Sequence, residues 1–191
     1  GKFNEETKYD PRSPYSASKA SSDHLVSSWF HTYGLPVVIT NCSNNYGPFQ
    51  YTEKLIPMAI RNCLKSQSIP LYGDGKNVRD WLYVEDHVEA ILQVIRKGNL
   101  GMKYCIGGSQ EKENIEVLKS ICALMDQLKP KSKPYDQLIK SVKDRLGHDK
   151  RYAIDTKFIN QEIGWQPKTK FKEGLKKTII WYLNNYNFNL N

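Results

Sequence analysis

The stretch Ser-Pro-Tyr-Ser-Ala-Ser-Lys, residues 13–19, fixes the start of a helix and puts a phenol and an ammonium on one side of it. Ser13 is suited to cap a helix and Pro14 to be its first residue. Tyr15 and Lys19 then lie four residues apart, on one face of the helix. A free tyrosine titrates near ~10, and a neighbouring cation favours the phenolate. The pair therefore suits proton exchange with an alcohol, although the spacing alone also fits an ordinary amphipathic helix surface.

Apolar residues beyond this stretch alternate between helical and strand spacing. After a helix over 14–33 that ends at Gly34, the run 36–40 is short, apolar and β-branched, as in a strand covered on both faces. Turn residues at 73–77 predict a hairpin between strands at 69–72 and 78–82. The other predicted elements are helices near 53–67 and over 84–95, a strand at 102–106, a helix capped by Asn114, a short helix capped by Asp155 and ended by Gly164, and a last helix over 171–182. Such alternation predicts an α/β fold, the remainder of a doubly wound sheet plus a small substrate lobe.

The composition argues against several classes of function. The net charge of +8 could suggest nucleic acid, but the lysines are dispersed and form no compact basic stripe, so we predict no nucleic acid partner. No run of about 18 apolar residues occurs, which argues against a membrane span. The four cysteines are far apart and lack metal-ligand spacing. We therefore expect reduced thiols, no metal site and a cytoplasmic protein.

Five strings carry a family resemblance that runs over nearly the whole chain. They are Tyr-Ser-Ala-Ser-Lys-Ala-Ser-Ser-Asp-His-Leu (15–25), Thr-Asn-Cys-Ser-Asn-Asn-Tyr-Gly-Pro (40–48), Glu-Lys-Leu-Ile-Pro (53–57), Arg-Asp-Trp-Leu-Tyr-Val-Glu-Asp-His (79–87) and Arg-Leu-Gly-His-Asp-Lys-Arg-Tyr-Ala-Ile-Asp (145–155). Tyr-x-x-x-Lys is the signature of the short-chain dehydrogenase/reductase superfamily. In this order, the strings resemble the dTDP-glucose 4,6-dehydratase family among its extended members.

The resemblance implies that the chain is the C-terminal part of such an enzyme. Residues 1–50 would be the remainder of an NAD-binding Rossmann-type domain, and 51–191 mainly a sugar-nucleotide-binding lobe, with about 78–106 returning to the Rossmann-type sheet. No Gly-x-x-Gly-x-x-Gly occurs, and the family's Asp-Glu pair for water elimination is missing. Glu5, Glu6 and Asp10 lie in a Pro-flanked loop and do not replace that pair. We therefore expect the isolated chain to be inactive.

The resemblance also implies a role for particular residues. Tyr15 would take a proton from the sugar 4-hydroxyl while hydride passes to NAD, and Lys19 would activate Tyr15 and hold the cofactor's ribose. Asn45 would lie on the nicotinamide side. The expected contacts to the dTDP-sugar substrate come from Asn44, Lys54, Arg79, Asn114, Asp144, Arg145 and His148. Leu146 stands where the family usually has proline. Family members form homodimers by packing the Tyr15–Lys19 helix with its neighbour, and outward Trp29 and Ile60 are compatible with such an interface.

Two other hypotheses remain open at this point. One is a related NAD-dependent epimerase or dehydratase acting on a UDP- or GDP-sugar. Against this hypothesis, the strings at 53–57 and 144–151 favour thymidine as the base of the nucleotide. The other is a non-catalytic binding lobe, because the cofactor half is absent. Several site residues also have ordinary structural explanations: Asn114 as a helix cap, Lys54 as a solvent-exposed first-turn residue, and Arg79 as a local ion pair with Asp80.

Overall fold

The computed structural model describes residues 1–144, 147 and 149–185. Within these ranges the helices are α1 (Pro14–Tyr33), α2 (Leu55–Lys65), α3 (Val84–Lys97), α4 (Asn114–Leu128), α5 (Lys157–Ile163) and α6 (Phe171–Asn184), with a 3-10 turn at Tyr135–Leu138. The strands are β1 (Ile39–Cys42), β2 (Asn44–Tyr46), β3 (Ile69–Tyr72), β4 (Val78–Tyr83), β5 (Lys103–Ile106), β6 (Glu111–Glu113), β7 (Ile139–Val142) and β8 (Arg151–Tyr152). Helices alternate with short strands along the chain, as the hydrophobic spacing predicts.

The strands pair mostly in parallel, and this confirms the predicted α/β fold class. β1 pairs with β5, β3 with β7, and β4 with both β2 and β8, all in parallel; β4 and β6 are antiparallel. Ser43 separates β1 from β2, and its amide donates to the Ile106 carbonyl at 2.9 Å. The chain therefore passes without a loop from β1, which pairs with β5, to β2, which pairs with β4. The two sheets meet at Ser43.

The predicted hairpin between β3 and β4 is wrong. The residues at 73–77 do form a turn, but β3 pairs with β7 and β4 pairs with β2, β6 and β8. A five-residue connection does not fix a hairpin register as a two-residue turn does, so tertiary partners decide the pairing.

Two apolar cores hold the elements together. The larger core lies among α2, α4 and α6 and includes Ile56, Ile60, Leu118, Ile121 and Ile179. The smaller core joins α3, α5 and β5 around Val94, Tyr104, Ile106, Ile159 and Trp165. Ile60 is fully buried in the larger core, so the sequence-based suggestion that it faces outward is wrong.

Helix α1 forms as predicted but contributes little to either core. Its cap is Ser13, whose hydroxyl accepts from the Ser16 amide, and it ends at Gly34 in the left-handed region with φ 66°. None of its residues is buried. Its position must therefore depend on a small number of contacts along its length.

Candidate active site

The Tyr15–Lys19 pair lies in the first turns of α1. The Ser16 amide donates to the Ser13 hydroxyl at 3.1 Å, and Pro14 follows the cap, so the local sequence fixes where the helix begins. Tyr15 is 75% exposed and Lys19 is exposed as well. Both side chains are therefore accessible to a ligand.

Asn45 contacts the thiol of Cys42, and the charge of Lys19 acts on the same thiol. Burial raises the pKa of Cys42, while the hydrogen bond from Asn45 and the charge of Lys19 act in the opposite direction. The Asn45 Nδ2 atom donates to Cys42 Sγ at 3.3 Å and to the Ser43 carbonyl at 3.1 Å. The charge of Lys19 on α1 thus acts at the junction of β1 and β2, where Asn45 lies.

The direction of α1 along β1 indicates where Tyr15 lies. Asp23 accepts from Asn41, while Phe30, further along α1, packs against Gly101, whose amide donates to the Val37 carbonyl before β1, so the helix and the strand run in opposite directions. Tyr15 is eight residues, about 12 Å, from Asp23 toward the helix N-terminus. Since a strand advances about 3.3 Å per residue, we expect Tyr15 beside the residues that follow Cys42, at Asn44.

Asn45 carries a buried acceptor at the β1–β2 junction. Its Oδ1 atom makes no hydrogen bond within the described ranges, and neither does Oε1 of Gln50 in the loop after β2. The Gln50 side chain donates to the Asn45 carbonyl at 2.8 Å, so this loop folds back on the end of β2. An unsatisfied buried acceptor is unfavourable, and a ligand N–H or O–H placed there would satisfy it.

A second group of the predicted residues meets at the turn after β3. The Arg79 guanidinium donates to the carbonyls of Val78 and Asp149, both at 2.8 Å, and Asn77 donates to the same Asp149 carbonyl at 3.2 Å. The Asn114 amide donates to the Asn77 carbonyl at 3.0 Å. Side-chain hydrogen bonds therefore join Asp149 to Asn77 and Arg79, and a backbone hydrogen bond joins the turn 73–77 to the start of α4.

Asp144 belongs to this second group. A Cβ at Gly73 would lie 3.0 Å from an Asp144 carboxylate oxygen, which puts the carboxylate over the turn. Arg145, Leu146 and His148 lie outside the described residues, so the predictions that concern them stay predictions.

The capping residue of α4 is Glu113, and the prediction that Asn114 caps the helix is wrong by one position. Glu113 forms a capping box with Glu116, whose carboxylate accepts from the Glu113 amide at 3.0 Å. Asn114 is the first residue of the helix, half-buried, and its side chain forms no hydrogen bond with another described residue. Helix capping therefore does not explain the asparagine at this position.

Arg79 and Asp80 point to opposite faces of β4, since successive strand residues alternate. The Asp80 carboxylate is buried and accepts from the amides of Gly108 at 3.1 Å and Gln110 at 2.8 Å. Burial raises the pKa of Asp80, and these amides oppose that effect. Asp80 thus holds the turn after β5, while Arg79 holds the loop at Asp149.

Tyr152 connects the β1–β2 junction with the second group of residues around Arg79. Its role was not anticipated from the sequence. It pairs with Arg79 in the register of β4 and β8, and its hydroxyl donates to the Cys42 carbonyl at 3.2 Å. Burial raises the pKa of Tyr152 to about 12, so the hydroxyl stays protonated at neutral pH. The only available signal was its place inside the string at 145–155.

Lys54 is not brought into contact with either group. It occupies the cap position of α2, is exposed, and its amide donates to the Tyr51 carbonyl at 3.0 Å. It follows the loop that folds back on Asn45, so only the chain path connects it to the site.

One cavity lies away from the predicted site residues. A cavity of about 390 Å³ opens between the N-terminal loop and α5, lined by residues that include Glu5, Met102 and Phe158, and it contains none of the predicted site residues. Across the described ranges, no group of His, Cys, Asp and Glu side chains could hold a metal ion. In the same ranges, no helix has the length and apolar character needed to cross a bilayer.

Comparison with known proteins confirms the resemblance found in the five strings. A family model described as GDP-mannose 4,6 dehydratase matches residues 1–178. A dTDP-glucose 4,6-dehydratase of Shigella flexneri is 55% identical over 186 residues, or 97% of this chain and 52% of that protein. The dTDP-glucose 4,6-dehydratase 1 of Escherichia coli K12 is 55% identical over 183 residues, or 96% of this chain and 51% of that protein.

Solved structures agree. The crystal structure of dTDP-glucose 4,6-dehydratase from Bacillus anthracis in complex with NAD has a TM-score of 0.89 at 48% identity and covers 98% of this chain and 58% of that chain. The enzyme of the same name from Streptomyces venezuelae, with NAD and a second ligand bound, has a TM-score of 0.90 at 42% identity, with coverages of 98% and 56%. The chain thus spans about half the length of the curated relatives that it matches.

Proposed function

Because the chain belongs to the GDP-mannose 4,6 dehydratase family, we propose that it carries the Tyr–Lys pair and the substrate-binding part of a dTDP-glucose 4,6-dehydratase. The proposed reaction converts dTDP-glucose to dTDP-4-keto-6-deoxyglucose and water, on the route to dTDP-rhamnose. Relatives at 54–56% identity that carry this name favour a dTDP-sugar over a UDP- or GDP-sugar. The structural observation that carries the proposal is the buried Asn45 Oδ1 at the β1–β2 junction, which has no hydrogen-bond partner among the described residues and lies where the charge of Lys19 acts on Cys42.

The residues at the β1–β2 junction fit NAD. When bound there, NAD would accept a hydride from the sugar and return it later. The orphaned Oδ1 of Asn45 suits a donor such as the nicotinamide amide, and Lys19 would hold the ribose hydroxyls. Tyr15, with Lys19 favouring its phenolate, takes the proton of the sugar 4-hydroxyl.

The second group of residues would hold the nucleotide. A guanidinium has five N–H donors, and the two carbonyl contacts of Arg79 orient it, which suits a diphosphate. Asn114 at the first turn of α4 adds a helix N-terminus to that anion site. Asn44 and Lys54 complete the proposed sugar-nucleotide contacts, together with Asp144, Arg145 and His148.

The elimination step needs an acid and a base beyond Tyr15 and Lys19. Glu5 does not supply them, because its carboxylate accepts from the Cys105 amide at 2.7 Å along the outer edge of β5. The 191-residue chain by itself is therefore proposed to bind but not to turn over dTDP-glucose. We also propose that the protein forms a homodimer through α1 and is located in the cytoplasm. The cysteines that form no disulfide are Cys42, Cys63, Cys105 and Cys122.

A chimaera tests the proposed activity. Residues 1–191 replace the matching half of the Escherichia coli relative, and formation of the 4-keto sugar is followed with dTDP-glucose as substrate. Turnover is expected in the chimaera and not in the isolated chain. Tyr15→Phe should lower kcat by about 10²- to 10⁴-fold, as loss of a general base does, while the dissociation constant for dTDP changes less than about threefold.

Tyr33→Phe is the matched control, since Tyr33 lies at the other end of the same helix and is 70% exposed. It should leave kcat unchanged. A folded chimaera without turnover, or a Tyr15→Phe chimaera with unchanged kcat, would rule out the proposed role of this chain.

A further inference from the structure

Helix α1 carries the proposed catalytic pair and yet has no buried residue. A helix without a buried face gains little from apolar packing, so polar contacts must decide how it lies on the sheet. Near its C-terminal end Phe30 packs closely against Gly101. Among the described residues, the side-chain hydrogen bonds that connect α1 to other segments are made by Asp23, which is half-buried.

One oxygen of Asp23 joins three segments of the chain. Oδ2 accepts from the Tyr9 hydroxyl at 2.8 Å and from Asn41 Nδ2 at 2.8 Å. Tyr9 belongs to the N-terminal loop and Asn41 to β1, so the carboxylate connects both to the middle of α1. Charge-assisted hydrogen bonds of this length are about twice as strong as neutral ones.

The surroundings of Tyr9 keep it a donor. Its ring contacts His24 with centroids 5.0 Å apart, and the ammonium of Lys103 lies 4.8 Å from the ring centroid. Burial, and then the hydrogen bond to Asp23, raise the pKa of Tyr9 above its usual value. The phenol is therefore protonated at neutral pH and always available to the carboxylate.

Asp23 continues the line of the catalytic pair. Tyr15, Lys19 and Asp23 are spaced by four residues, so they follow one another along one helix face. Asp23 accepts a hydrogen bond from Asn41, and the charge of Lys19 lowers the pKa of the adjacent Cys42 against the effect of burial. A helix that slid or rotated on the sheet would break the first contact and move the other two residues.

We propose that Asp23 is a positioning residue, which through Asn41 and Tyr9 fixes α1 on β1 and so holds Tyr15 and Lys19 at the β1–β2 junction. The consequence for catalysis rests on the proposed function, whereas the anchoring of the helix does not. Asparagine at position 23 can accept both hydrogen bonds on its carbonyl oxygen, and alanine can accept neither. The pair of variants therefore separates anchoring from the charge of the carboxylate.

Hydrogen exchange in the 191-residue chain tests the anchoring. Asp23→Ala should speed exchange of the amides at 16–24 by about tenfold or more through local opening, and Asp23→Asn by less than about twofold. Tyr9→Phe and Asn41→Ala, which each remove one donor, should lie between these values and serve if Asp23→Ala does not fold. Unchanged exchange in Asp23→Ala, or equal effects of alanine and asparagine, would overturn the proposal.

Asp126→Ala is the matched control for exchange. Asp126 is also half-buried and accepts from the Tyr135 amide at 3.1 Å, but it lies on α4. Its loss should speed exchange near residue 135 and leave 16–24 unaffected. An equal effect on 16–24 would mean that any loss of stability opens α1, which contradicts a specific anchor.

Steady-state kinetics in the chimaera test the catalytic consequence. Since small misplacement of reacting groups lowers rates by up to about 10²-fold, Asp23→Ala should lower kcat by about 10- to 100-fold with KM within about threefold. Asp23→Asn should keep kcat within about threefold, and Asp126→Ala should leave it unchanged. Faster exchange with normal kcat would overturn the positioning role. An unmodified chimaera without turnover would instead count against the proposed function, while exchange still decides the anchoring.

Discussion

Gly108 shows why two consecutive glycines follow β5. A Cβ on Gly108 would lie 1.7 Å from the carbonyl oxygen of Trp81, so only glycine lets the turn approach β4. Its amide donates to the buried carboxylate of Asp80 at 3.1 Å, which fixes that approach. Glycine at position 108 thus lets the backbone of the turn pack directly against the backbone of β4. This keeps Trp81, the register partner of Asn44, in place.

Gly108→Ala is therefore expected to destabilise the chain severely, by about 3 kcal/mol or more, because backbone cannot yield as a side chain can. Urea unfolding followed by circular dichroism measures the change. Gly34→Ala is the control: Gly34 has φ 66° but open space around its Cβ, and should lose only about 1–2 kcal/mol. Similar losses at both positions would show that the turn at Gly108 relaxes.

Single residues were predictable from the sequence where the signal is local. Ser13, Pro14 and Gly34 define α1 through chemistry within a few neighbours, and the structure has the helix at those bounds. The cap of α4 was misplaced by one residue, because Glu113 and Asn114 can both start a helix and only tertiary geometry chooses. Asp23 was missed since its partners are 14 and 18 residues away, a separation that no spacing rule covers.

At the scale of elements, α6 is fitted to β2 by a glycine in its middle. A Cβ on Gly174 would lie 2.3 Å from the Tyr46 hydroxyl oxygen and 3.0 Å from a ring carbon of Tyr83. Tyr46 directly follows Asn45, so the packing of α6 sets the end of the strand that carries the proposed site. The sequence predicts α6 by its apolar spacing, but it does not show which residue faces Tyr46.

Gly174→Ala should lower stability by about 1–3 kcal/mol, although alanine favours a helix by about 1 kcal/mol, since overlap with Tyr46 outweighs propensity. Thermal and urea unfolding of the single and double variants measure the balance. In a Tyr46→Phe background, where the clashing oxygen is gone, the loss from Gly174→Ala should become clearly smaller. Additive losses would mean that the hydroxyl is not the obstacle.

The elements β3 and β4 show the limit of local patterns at this scale. Residues 73–77 correctly indicated a turn, but pairing partners came from β7 and from β2, which lie far away in sequence. Parallel pairing leaves no signature in the connecting loop, because the partner strand arrives by a crossover. The α/β class was predictable from alternation, whereas the pairing order was not.

At the scale of the whole molecule, two helices outside the larger core each carry a row of exposed apolar side chains. On α1 the exposed fractions are 61% for Leu25, 52% for Trp29 and 70% for Tyr33, at spacings of four residues. On α3, Val88 is 51% and Ile95 is 68% exposed. Contiguous exposed apolar stripes of this kind mark contact surfaces, and a two-fold axis lets one stripe pack on its own copy.

We predict that the stripe of Leu25, Trp29 and Tyr33 forms the dimer contact. Trp29→Asp should weaken the dimer by at least about tenfold, because a central tryptophan is a frequent hot spot and a carboxylate there would face its own copy. Light scattering after size exclusion measures the mass, and circular dichroism verifies folding. Ile95→Asp is the control on α3 and should leave the dimer intact, since α3 would not lie at the two-fold axis. A monomeric parent chain would refute the dimer contact through α1. Dissociation by Ile95→Asp with Trp29→Asp still dimeric would also refute it and would point to α3, because each charge can disrupt only the surface on which it lies.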